Sequence, residues 1–543
     1  MNRAAGVAPS DERSVGDAPR GIAARILAAW DSPWTGSYWL GFAAAAVLAG
    51  ACLARAYAGA EGFRLCTQDL FVVLDGGWRM LHGQHPNVDF YNELGPCLYG
   101  MMAVALWLSH ASAAAFGWVQ GFAGAALGLW AWALARRRLD PLPRLLFCAA
   151  IVLMAISPYV YGYSVLHTSP AMVYNHLGYS LVALAMLEAS LDRRPATARS
   201  EAAGGFSTGL AAGIALFLKI TYFAWMFPLA ALLLRCRPQT RARWLGIATG
   251  LAAGCAPFVL YYRGNFAPML HDLWITSGAK HIQWRWDAVE AFYLNVAPMT
   301  VFVLLALGAL RAGEARGRAV LQAALIGVAT IAGGYLLLLT NTQANQMPLN
   351  AIGAMLILQL LAGRPRQSAP SWPRALAIAW GVWFAVAAIC LDGAGVAWAG
   401  LTRRHFAHDT WNQLTPARLA GISSLEHTYV ELVNDGFVLL DRYRQPGETV
   451  MSMDFSNPFS IGLGIPPAHG GTADLHFGTN YDDRHHPSAE WIFGDANLVL
   501  DPIVPTDRPA EKNVQRVFGP YVYSHYHQIA ESSRWRLYRR NRP

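Results

Sequence analysis

The stretch that organises this chain is TQDLFVVLDGGWRMLHGQHPNVDFYNELGP, residues 67–96, which lies between two strongly apolar segments. It carries four carboxylates, namely Asp69, Asp75, Asp89 and Glu93, and it ends in Gly-Pro where the chain becomes apolar again. Carboxylates beside a bilayer are costly unless they stay at the wet interface or face a polar cavity. The roles of these four therefore depend on how the flanking apolar segments cross a membrane.

The composition predicts a membrane protein. Of the 543 residues, 54% are hydrophobic and only 14% are charged, whereas soluble domains carry about 25% charged residues. The net charge of +8 comes mostly from arginines that lie between apolar runs. A nucleic-acid-binding protein would instead cluster basic residues on a soluble face. We therefore expect the lipid bilayer, and no nucleic acid, as a partner.

The apolar runs predict a polytopic helical bundle, because a membrane-spanning helix needs about 20 predominantly apolar residues. Twelve runs approach that length. They lie near residues 36–58, 94–110, 112–135, 143–157, 172–191, 204–219, 221–236, 243–262, 289–310, 318–340, 345–363 and 374–399.

The connectors between these runs predict the orientation, because short loops rich in Lys and Arg stay in the cytoplasm. The first 35 residues show no cleavable signal pattern and are expected to form a cytoplasmic tail. The arginine-rich connectors fall near 136–144, 193–199, 235–243, 311–318 and 364–374, and the outward ones near 61–93, 158–171, 219–221, 263–288 and 340–346.

One apolar run disturbs this alternation. Between the outward loop 61–93 and the inward Arg136–Arg138 the number of crossings must be odd, yet two runs fit there. The run 94–110 is short and begins at Gly-Pro, so we interpret it as a re-entrant or incomplete helix, a form tolerated where it lines a protein cavity. This interpretation gives about eleven crossings. The alternative is a bundle of twelve crossings in which one arginine cluster lies on the unexpected side.

The character of the chain changes near residue 400, after which no long apolar run remains. Strand-like pieces occur at 448–455, 496–504 and 534–540, and residues 428–443 have helical apolar spacing. The chain is therefore predicted to be mainly α, with a membrane domain at 36–399 and an extracytoplasmic α/β domain at 400–543. The first outer loop of the membrane domain is placed at 59–95.

The two ends of that first loop are the candidates for chemistry. Asp69 follows the first span closely and Glu93 immediately precedes the second apolar run. If the flanking helices pack side by side, both carboxylates return to one cavity mouth, where they could act as a general base and its partner or as cation ligands. Solvated loop residues are the alternative, and for Asp75 and Asp89 we expect that role or helix capping.

Other polar residues are expected on the same side of the membrane. Lys219 interrupts the apolar stretch ALFLKITYF and could hold a phosphate, although its stem could also snorkel to lipid headgroups. His167 and Asn175 lie on the next outward connector. Lys280 and Arg285 belong to a Trp-rich connector that reads either as an interfacial helix or as a basic wall beside a lipid phosphate.

The cysteines and one later loop are less informative. Cys66 and Cys97 flank the first loop and could meet across it, but no cysteine spacing indicates a metal site. HFGTNYDDRHHP, residues 476–487, is interpreted first as a solvated loop, then as an acceptor-binding loop, and last as a metal site.

In architecture and in short motifs the chain resembles the GT-C superfamily of polytopic glycosyltransferases, in the branch of protein O-mannosyltransferases and aminoarabinose transferases. Asp69 matches the acid after the first span, and Glu93 in NELGP matches the acid before a Pro-containing apolar run. The stretch Gly83–Phe90 resembles a Gly-x-x-Pro-x-x-Asp-Phe pattern that includes Asp89, and Lys219 resembles a lysine near the donor phosphate. The chain departs from the family at Gln68 and Leu94, where many members carry Asp and Lys.

The resemblance implies transfer of a sugar from a polyprenyl-phosphate donor to a lipid, glycan or protein acceptor at the outer face of the cytoplasmic membrane. Asp69 would be the base and Glu93 would orient the acceptor or Asp69. Lys219, Asp89, His167, Asn175, Lys280 and Arg285 are the predicted substrate-binding residues. No cofactor is assigned, although the carboxylates would allow a divalent cation.

Three other classes of protein remain open, one of them a non-catalytic scaffold whose C-terminal domain recruits a partner. A transporter or flippase would place ionisable residues at mid-bilayer and show internal symmetry. An O-antigen polymerase or ligase would use lipid-linked glycans at the same face of the membrane.

Overall fold

The computed structural model describes Ile22 and residues 38–60, 63–191, 197–235, 240–280, 286–312, 317–341, 346–362, 372–406, 413–504 and 508–541. Its described residues up to Phe406 form helices joined by loops, and its last part adds a small sheet. The helices of the first part are α1 (Tyr38–Ala58), α2 (Asp69–Leu81), α3 (Pro96–Leu108), α4 (Ala115–Arg138), α5 (Pro141–Ile156), α6 (Val173–Ser190), α7 (Ala198–Leu218), α8 (Ile220–Leu234), α9 (Arg241–Tyr261), α10 (Ala267–Ala279), α11 (Trp286–Ala291), α12 (Ala297–Ala312), α13 (Gly317–Thr340), α14 (Leu349–Ala362) and α15 (Trp372–Phe406).

Within the described residues, 7 of these helical segments are long and apolar enough to cross a membrane. They are α1, α4, α7, α9, α13, α15 and the segment Ala288–Ala312, which runs through a π-helical turn at Phe292–Val296 into α12. Four shorter apolar helices, α3, α5, α8 and α14, accompany them. The polytopic, mainly α fold predicted from hydropathy is confirmed.

The helix that begins at the Gly-Pro of the opening stretch is short. Its 13 residues span about 20 Å at 1.5 Å per residue, against about 30 Å for a bilayer's hydrocarbon core. Pro96 occupies its first turn, where the missing N–H is no loss. The length suits an incomplete span, and the number of crossings stays a prediction.

Glycines bring α7 and α9 into backbone contact. A Cβ on Gly209 would lie 2.0 Å from the Ile247 carbonyl oxygen, and one on Gly250 would lie 2.1 Å from that of Phe206. No side chain fits at either position. Gly205, Gly209 and Gly213 on α7 face Gly246, Gly250 and Gly254 on α9, which is the small-residue packing typical of membrane helix pairs.

Two arginines predicted to mark cytoplasmic connectors are buried in ion pairs. Arg243 contacts Glu201 at 2.6 Å and Glu188 at 2.9 Å, and Arg138 contacts Glu188 at 3.2 Å. A buried arginine needs such partners because desolvating its charge alone is costly. Arg138 and Arg243 therefore join the ends of α4, α6, α7 and α9 and are not simply solvated topology signals.

The last part of the chain is an α/β unit that starts after α15. Its sheet has the order β1-β2-β4-β3, with β1 and β2 parallel and the other pairs antiparallel. Trp535 is buried where the sheet meets the first helix of the unit, and its indole N–H donates to the Leu432 carbonyl at 2.7 Å. The elements are α16 (His427–Tyr443), β1 (Val450–Ser452), α17 (Phe459–Leu463), α18 (Ala489–Phe493), β2 (Leu498–Pro502), α19 (Arg508–His525), β3 (Tyr526–Glu531) and β4 (Trp535–Arg540).

The sequence predicted α16 and the strands β1, β2 and β4 near their observed positions, but not β3 or α19. The β3 segment YHQIAE is mostly exposed, with only its first residue buried. An edge strand of this kind lacks the apolar alternation on which strand prediction depends.

The first loop contains the helix α2, and Asp75 was wrongly expected to be a solvated loop or helix-capping residue. Asp75 on this helix is fully buried and accepts a hydrogen bond from Arg79 Nε at 2.7 Å. The Arg79 guanidinium also donates to the carbonyls of Gly470 at 2.7 Å and Ala468 at 3.1 Å. Asp75 and Arg79 therefore fasten the α/β unit to the first loop.

Cys66 and Cys97 are both free thiols, so the disulfide considered across the loop is not formed.

Candidate active site

Five charged side chains from distant parts of the chain meet where the α/β unit covers the helical bundle. They are Asp69, Glu93, Lys219, Lys280 and Asp474, and we call them the charge cluster. Asp474 interacts electrostatically with Glu93, Asp69 and Lys219, and Lys219 interacts with Lys280 and Glu93. The expectation that both ends of the first loop return to one place is met by this arrangement.

Asp69 is held at the start of α2 by a segment of the α/β unit. The Glu426 carboxylate accepts the backbone N–H groups of Cys66 at 3.0 Å and Thr67 at 2.7 Å. The Thr67 and Ser424 hydroxyls lie 2.6 Å apart. These bonds fix the backbone just before Asp69, whose side chain stays half-buried.

Glu93 is placed by the Asn-Glu-Leu-Gly turn. The Asn92 side-chain oxygen accepts the Leu94 N–H at 3.1 Å and the Tyr99 hydroxyl at 3.0 Å. Gly95 then donates its N–H to the Leu218 carbonyl at 3.2 Å. A Cβ on Gly95 would lie 1.9 Å from the Phe217 carbonyl oxygen, so only glycine permits this approach. The glycine of NELGP thus brings Glu93 beside Lys219.

Lys219 occupies the break between α7 and α8. Its backbone is extended, with φ −164° and ψ 122°, and it serves as the cap of both helices. The side chain is 9% exposed, and its ammonium lies 4.3 Å from the centre of the Tyr174 ring. This cation–π contact offsets part of the cost of burying the lysine.

Asp474 is the member of the cluster that the sequence did not predict. Residues 470–472 pair with the end of the first loop, where Tyr91 N–H donates to the Gly471 carbonyl at 2.9 Å. The Asp474 carboxylate is 7% exposed and accepts the Asn480 side-chain N–H at 2.9 Å. A lone aspartate in a polar loop gives no signal of this position, since a pairing with residues nearly 400 positions earlier creates it.

The charges of the cluster perturb one another. Burial raises the pKa of Asp474 well above its usual range, and the negative charges of Glu93 and Asp69 add to the rise. Burial also lowers the pKa of Lys280, against the opposing effect of Glu93. This shift favours the protonated form of Asp474 beside two other carboxyl groups, and such a separation of pKa values is common where groups act as acid, base or hydrogen-bond donor.

Asp89, one of the predicted substrate-binding residues, has a structural place. Its carboxylate accepts the His85 N–H at 2.6 Å and lies 3.0 Å from His85 Nδ1 and 3.2 Å from His469 Nε2. Burial tends to raise its pKa, but the hydrogen bonds from His85 and His469 outweigh this and hold the pKa below its usual value. Asp89 therefore closes the 85–89 turn and links it to the α/β unit.

Three other predicted residues are not among the five. Asn175 is buried and accepts the Tyr222 hydroxyl at 3.0 Å inside the bundle. His167 is half-buried and lies against the Tyr163 ring, and in the described part of the chain no contact joins it to the cluster. Arg285 lies outside the described residues.

Across the described ranges, no group of three or more His, Cys, Asp or Glu side chains is arranged to hold a metal ion. The cluster instead combines a half-buried carboxylate pair with two lysines. It can accept a proton from a hydroxyl and stabilise an anionic leaving group at the same place.

Comparison with known proteins gives little beyond this geometry. No family model matches the sequence, and no match was found among curated proteins. The chain is similar to the crystal structure of ArnT from Cupriavidus metallidurans bound to undecaprenyl phosphate, with a TM-score of 0.48, 14% identity, and coverage of 91% of this chain and 97% of that one. The apo structure of the same protein gives a TM-score of 0.48, 16% identity, and coverage of 92% and 98%. At this level of similarity, nothing about the present chain is concluded from ArnT.

Proposed function

We propose that this protein is a membrane glycosyltransferase that moves a sugar from a polyprenyl-phosphate donor to an envelope acceptor. The observation that carries the proposal is the charge cluster, in which a half-buried carboxylate pair and two lysines meet beside apolar helices. A donor with a long isoprenoid tail requires this combination, because its tail stays in lipid while its phosphate and sugar reach a polar site.

The orientation belongs to the same proposal. We place the protein in the cytoplasmic membrane with the cluster and the α/β unit on the outer side. The arginine-rich connectors would then lie inside, as short basic loops do. The acceptor is a lipid, a glycan or a protein.

The reaction is a direct displacement with inversion. The Asp69 carboxylate takes the proton of an acceptor hydroxyl, whose oxygen forms a bond to the anomeric carbon of the donor. The bond from that carbon to the phosphate oxygen breaks, and the lipid phosphate leaves with the electron pair. Lys219 and Lys280 stabilise the negative charge of the leaving phosphate. Glu93 orients Asp69 or the acceptor, and no step is routed through a cation.

The test is Asp69→Asn, which keeps the shape of the side chain and removes the base. Membranes containing the wild-type or variant protein are given a panel of radiolabelled polyprenyl-phosphate hexoses and pentoses, and label reaching the envelope fraction is measured. Loss of a positioned general base typically costs 10²–10⁴-fold in rate, so we expect at least a hundredfold fall.

The control is Asp441→Asn, an exposed aspartate on α16, which should leave transfer within twofold of wild type. Near wild-type transfer by a well-folded Asp69→Asn protein would show that the base is assigned wrongly. Lack of transfer from every donor by the wild-type protein would contradict the proposed function itself.

A further inference from the structure

A second polar feature lies next to the charge cluster. An open pocket of about 530 Å³ separates α10 from the loop before α18, a volume within the range of about 300–1,000 Å³ that is usual for small-molecule sites. Its walls combine basic and aromatic side chains. The lining includes Asp272 and Trp274 on α10, and Arg484, His485, His486 and Trp491 on the α/β unit.

The two walls of the pocket contact each other at one edge, next to Gly278. A Cβ on Gly278 would lie 2.5 Å from the His485 ring, so α10 meets the loop at a glycine. The Asp482 carboxylate accepts the backbone N–H groups of Arg484 at 2.8 Å and His485 at 2.6 Å, which fixes the turn. A site held in this way is formed before a ligand arrives.

The charges of the pocket suit an oxyanion. Arg484 is exposed, and within the described ranges it forms no ion pair with a carboxylate. His485 and His486 stand beside it. Among the described lining residues, the one carboxylate is Asp272. It already accepts the Asn87 side-chain N–H at 2.9 Å and the Asn92 N–H at 3.1 Å.

Two indole rings make the pocket suitable for a sugar. Trp274 is 64% exposed, and Trp491 is half-buried in the same lining. Flat aromatic faces pack against the C–H face of a pyranose ring, while the surrounding polar groups reach its hydroxyls. An aromatic surface with a few convergent polar groups is the usual form of a specific small-ligand site.

The pocket is connected to the charge cluster by short covalent paths. Asn92, which donates to Asp272, immediately precedes Glu93. Lys280 follows Asp272 by eight residues, which is about 12 Å along a helix. The pocket and the charge cluster therefore share the backbone segments 92–93 and 272–280.

We propose that this pocket binds an acidic sugar of the acceptor, with its carboxylate or phosphate on Arg484 and the neighbouring histidines and its ring against Trp274. Its identification as an acceptor site rests on the proposed function, whereas the binding of an acidic sugar does not.

The test is a ligand-observed NMR titration of the purified full-length protein in lipid nanodiscs with glucose, glucuronate and glucose 6-phosphate. At least one of the two acidic sugars should bind fivefold more tightly than glucose, and the preferred one identifies the oxyanion as carboxylate or phosphate. Arg484→Gln should weaken that binding at least fivefold, and Trp274→Ala should weaken all sugar binding at least fivefold.

Arg442→Gln, at an exposed arginine of the same unit away from the pocket, is the matched control and should bind within twofold of wild type. Arg484 and Trp274 are both exposed, so unchanged thermal unfolding is expected for their variants and is checked first. Equal binding of glucose and both acidic sugars, or full affinity in Arg484→Gln, overturns the proposal.

The same titration on Asp69→Asn separates the two proposals. Acidic-sugar binding that persists in this variant supports the pocket, whatever the transfer assay gives. If Asp69→Asn abolishes transfer but the wild-type protein binds no acidic sugar, the proposed glycosyltransferase function stands and the proposed pocket ligand is wrong.

Discussion

At the scale of single residues, the partner of each carboxylate in the first loop decides its role. Asp75 is buried against Arg79, and Asp89 is hydrogen-bonded to His85 and His469. Asp75 and Asp89 therefore hold segments of the first loop against the α/β unit. Asp69 and Glu93 instead share the charge cluster with Asp474. The four acids look alike in the sequence because their partners lie elsewhere in the chain.

Asp474 yields a prediction about pH. Burial and the charges of Glu93 and Asp69 raise its pKa, which favours a neutral acid that can donate a hydrogen bond while Asn480 donates to its other oxygen. As the pH rises through this pKa, a third negative charge forms in the cluster, and wild-type transfer should fall. Asp474→Asn mimics the neutral acid. It should keep at least a third of the activity and lose the alkaline decline.

The comparison variant is Asp474→Ala, which removes the donor and leaves Asn480 without its acceptor. We expect transfer to fall at least tenfold, as measured in pH–rate profiles of all three proteins. If the asparagine variant is as inactive as the alanine variant, then Asp474 acts as a charged carboxylate and the neutral-acid assignment is wrong.

At the scale of elements, the packing of α7 on α9 is decided by glycine spacing. Glycines at every fourth position lie on one face of each helix, and here the two faces meet with Cβ positions blocked by backbone oxygens of the opposite helix. Lys219 at the end of α7 is positioned by this pair. The spacing is readable in the sequence, but which two helices meet is not.

Gly250→Leu should therefore destabilise the protein strongly. Its Cβ would lie 2.1 Å from the Phe206 carbonyl oxygen, and backbone cannot move aside as a flexible side chain can. We expect a loss of about 3 kcal/mol or more, seen as a lower thermal unfolding midpoint of the purified protein in detergent. Gly308→Leu, at a helical glycine with nothing within 4 Å of its Cβ position, should unfold near the wild-type midpoint. Equal midpoints for the two variants would contradict close α7–α9 packing.

At the scale of the whole molecule, the two ends of the helical bundle bury different sets of charged side chains. One end holds the buried Arg138–Glu188–Arg243 ion pairs, and the other holds the charge cluster beneath the α/β unit. Neither the bundle nor the α/β unit contains the complete cluster, because Asp474 comes from one and the remaining four members from the other. The candidate site therefore exists only when the two parts are packed together.

The proposed orientation gives a direct prediction. In a chain whose own cysteines are replaced, Arg442→Cys on the α/β unit and Arg137→Cys at the other end of the bundle are both exposed positions. In sealed right-side-out membrane vesicles, a membrane-impermeant maleimide should label position 442 at once and position 137 only after permeabilisation. The reverse pattern would place the charge cluster in the cytoplasm.

The sequence by itself determined the class of the protein and most of its elements. Hydropathy over about 20 residues marks membrane helices, and local periodicity marked α16 and three of the four strands. Chain position also singled out Asp69, Glu93 and Lys219 as candidates, since each lies beside a break in an apolar run, and their roles in catalysis stay a prediction. These signals are local, and so they can be read without a structure.

Only the tertiary structure decided which of these residues meet. Asp89 contacts His469, which lies 380 positions later in the sequence. Asp474 is separated in sequence from Glu93 of the cluster by a similar number of residues. The tertiary structure also shows that Asp75, Arg138 and Arg243, which were expected to be surface charges, form buried ion pairs. The physical reason is that the cost of burying a charge depends on partners brought together by folding, and no local pattern in the sequence records those partners.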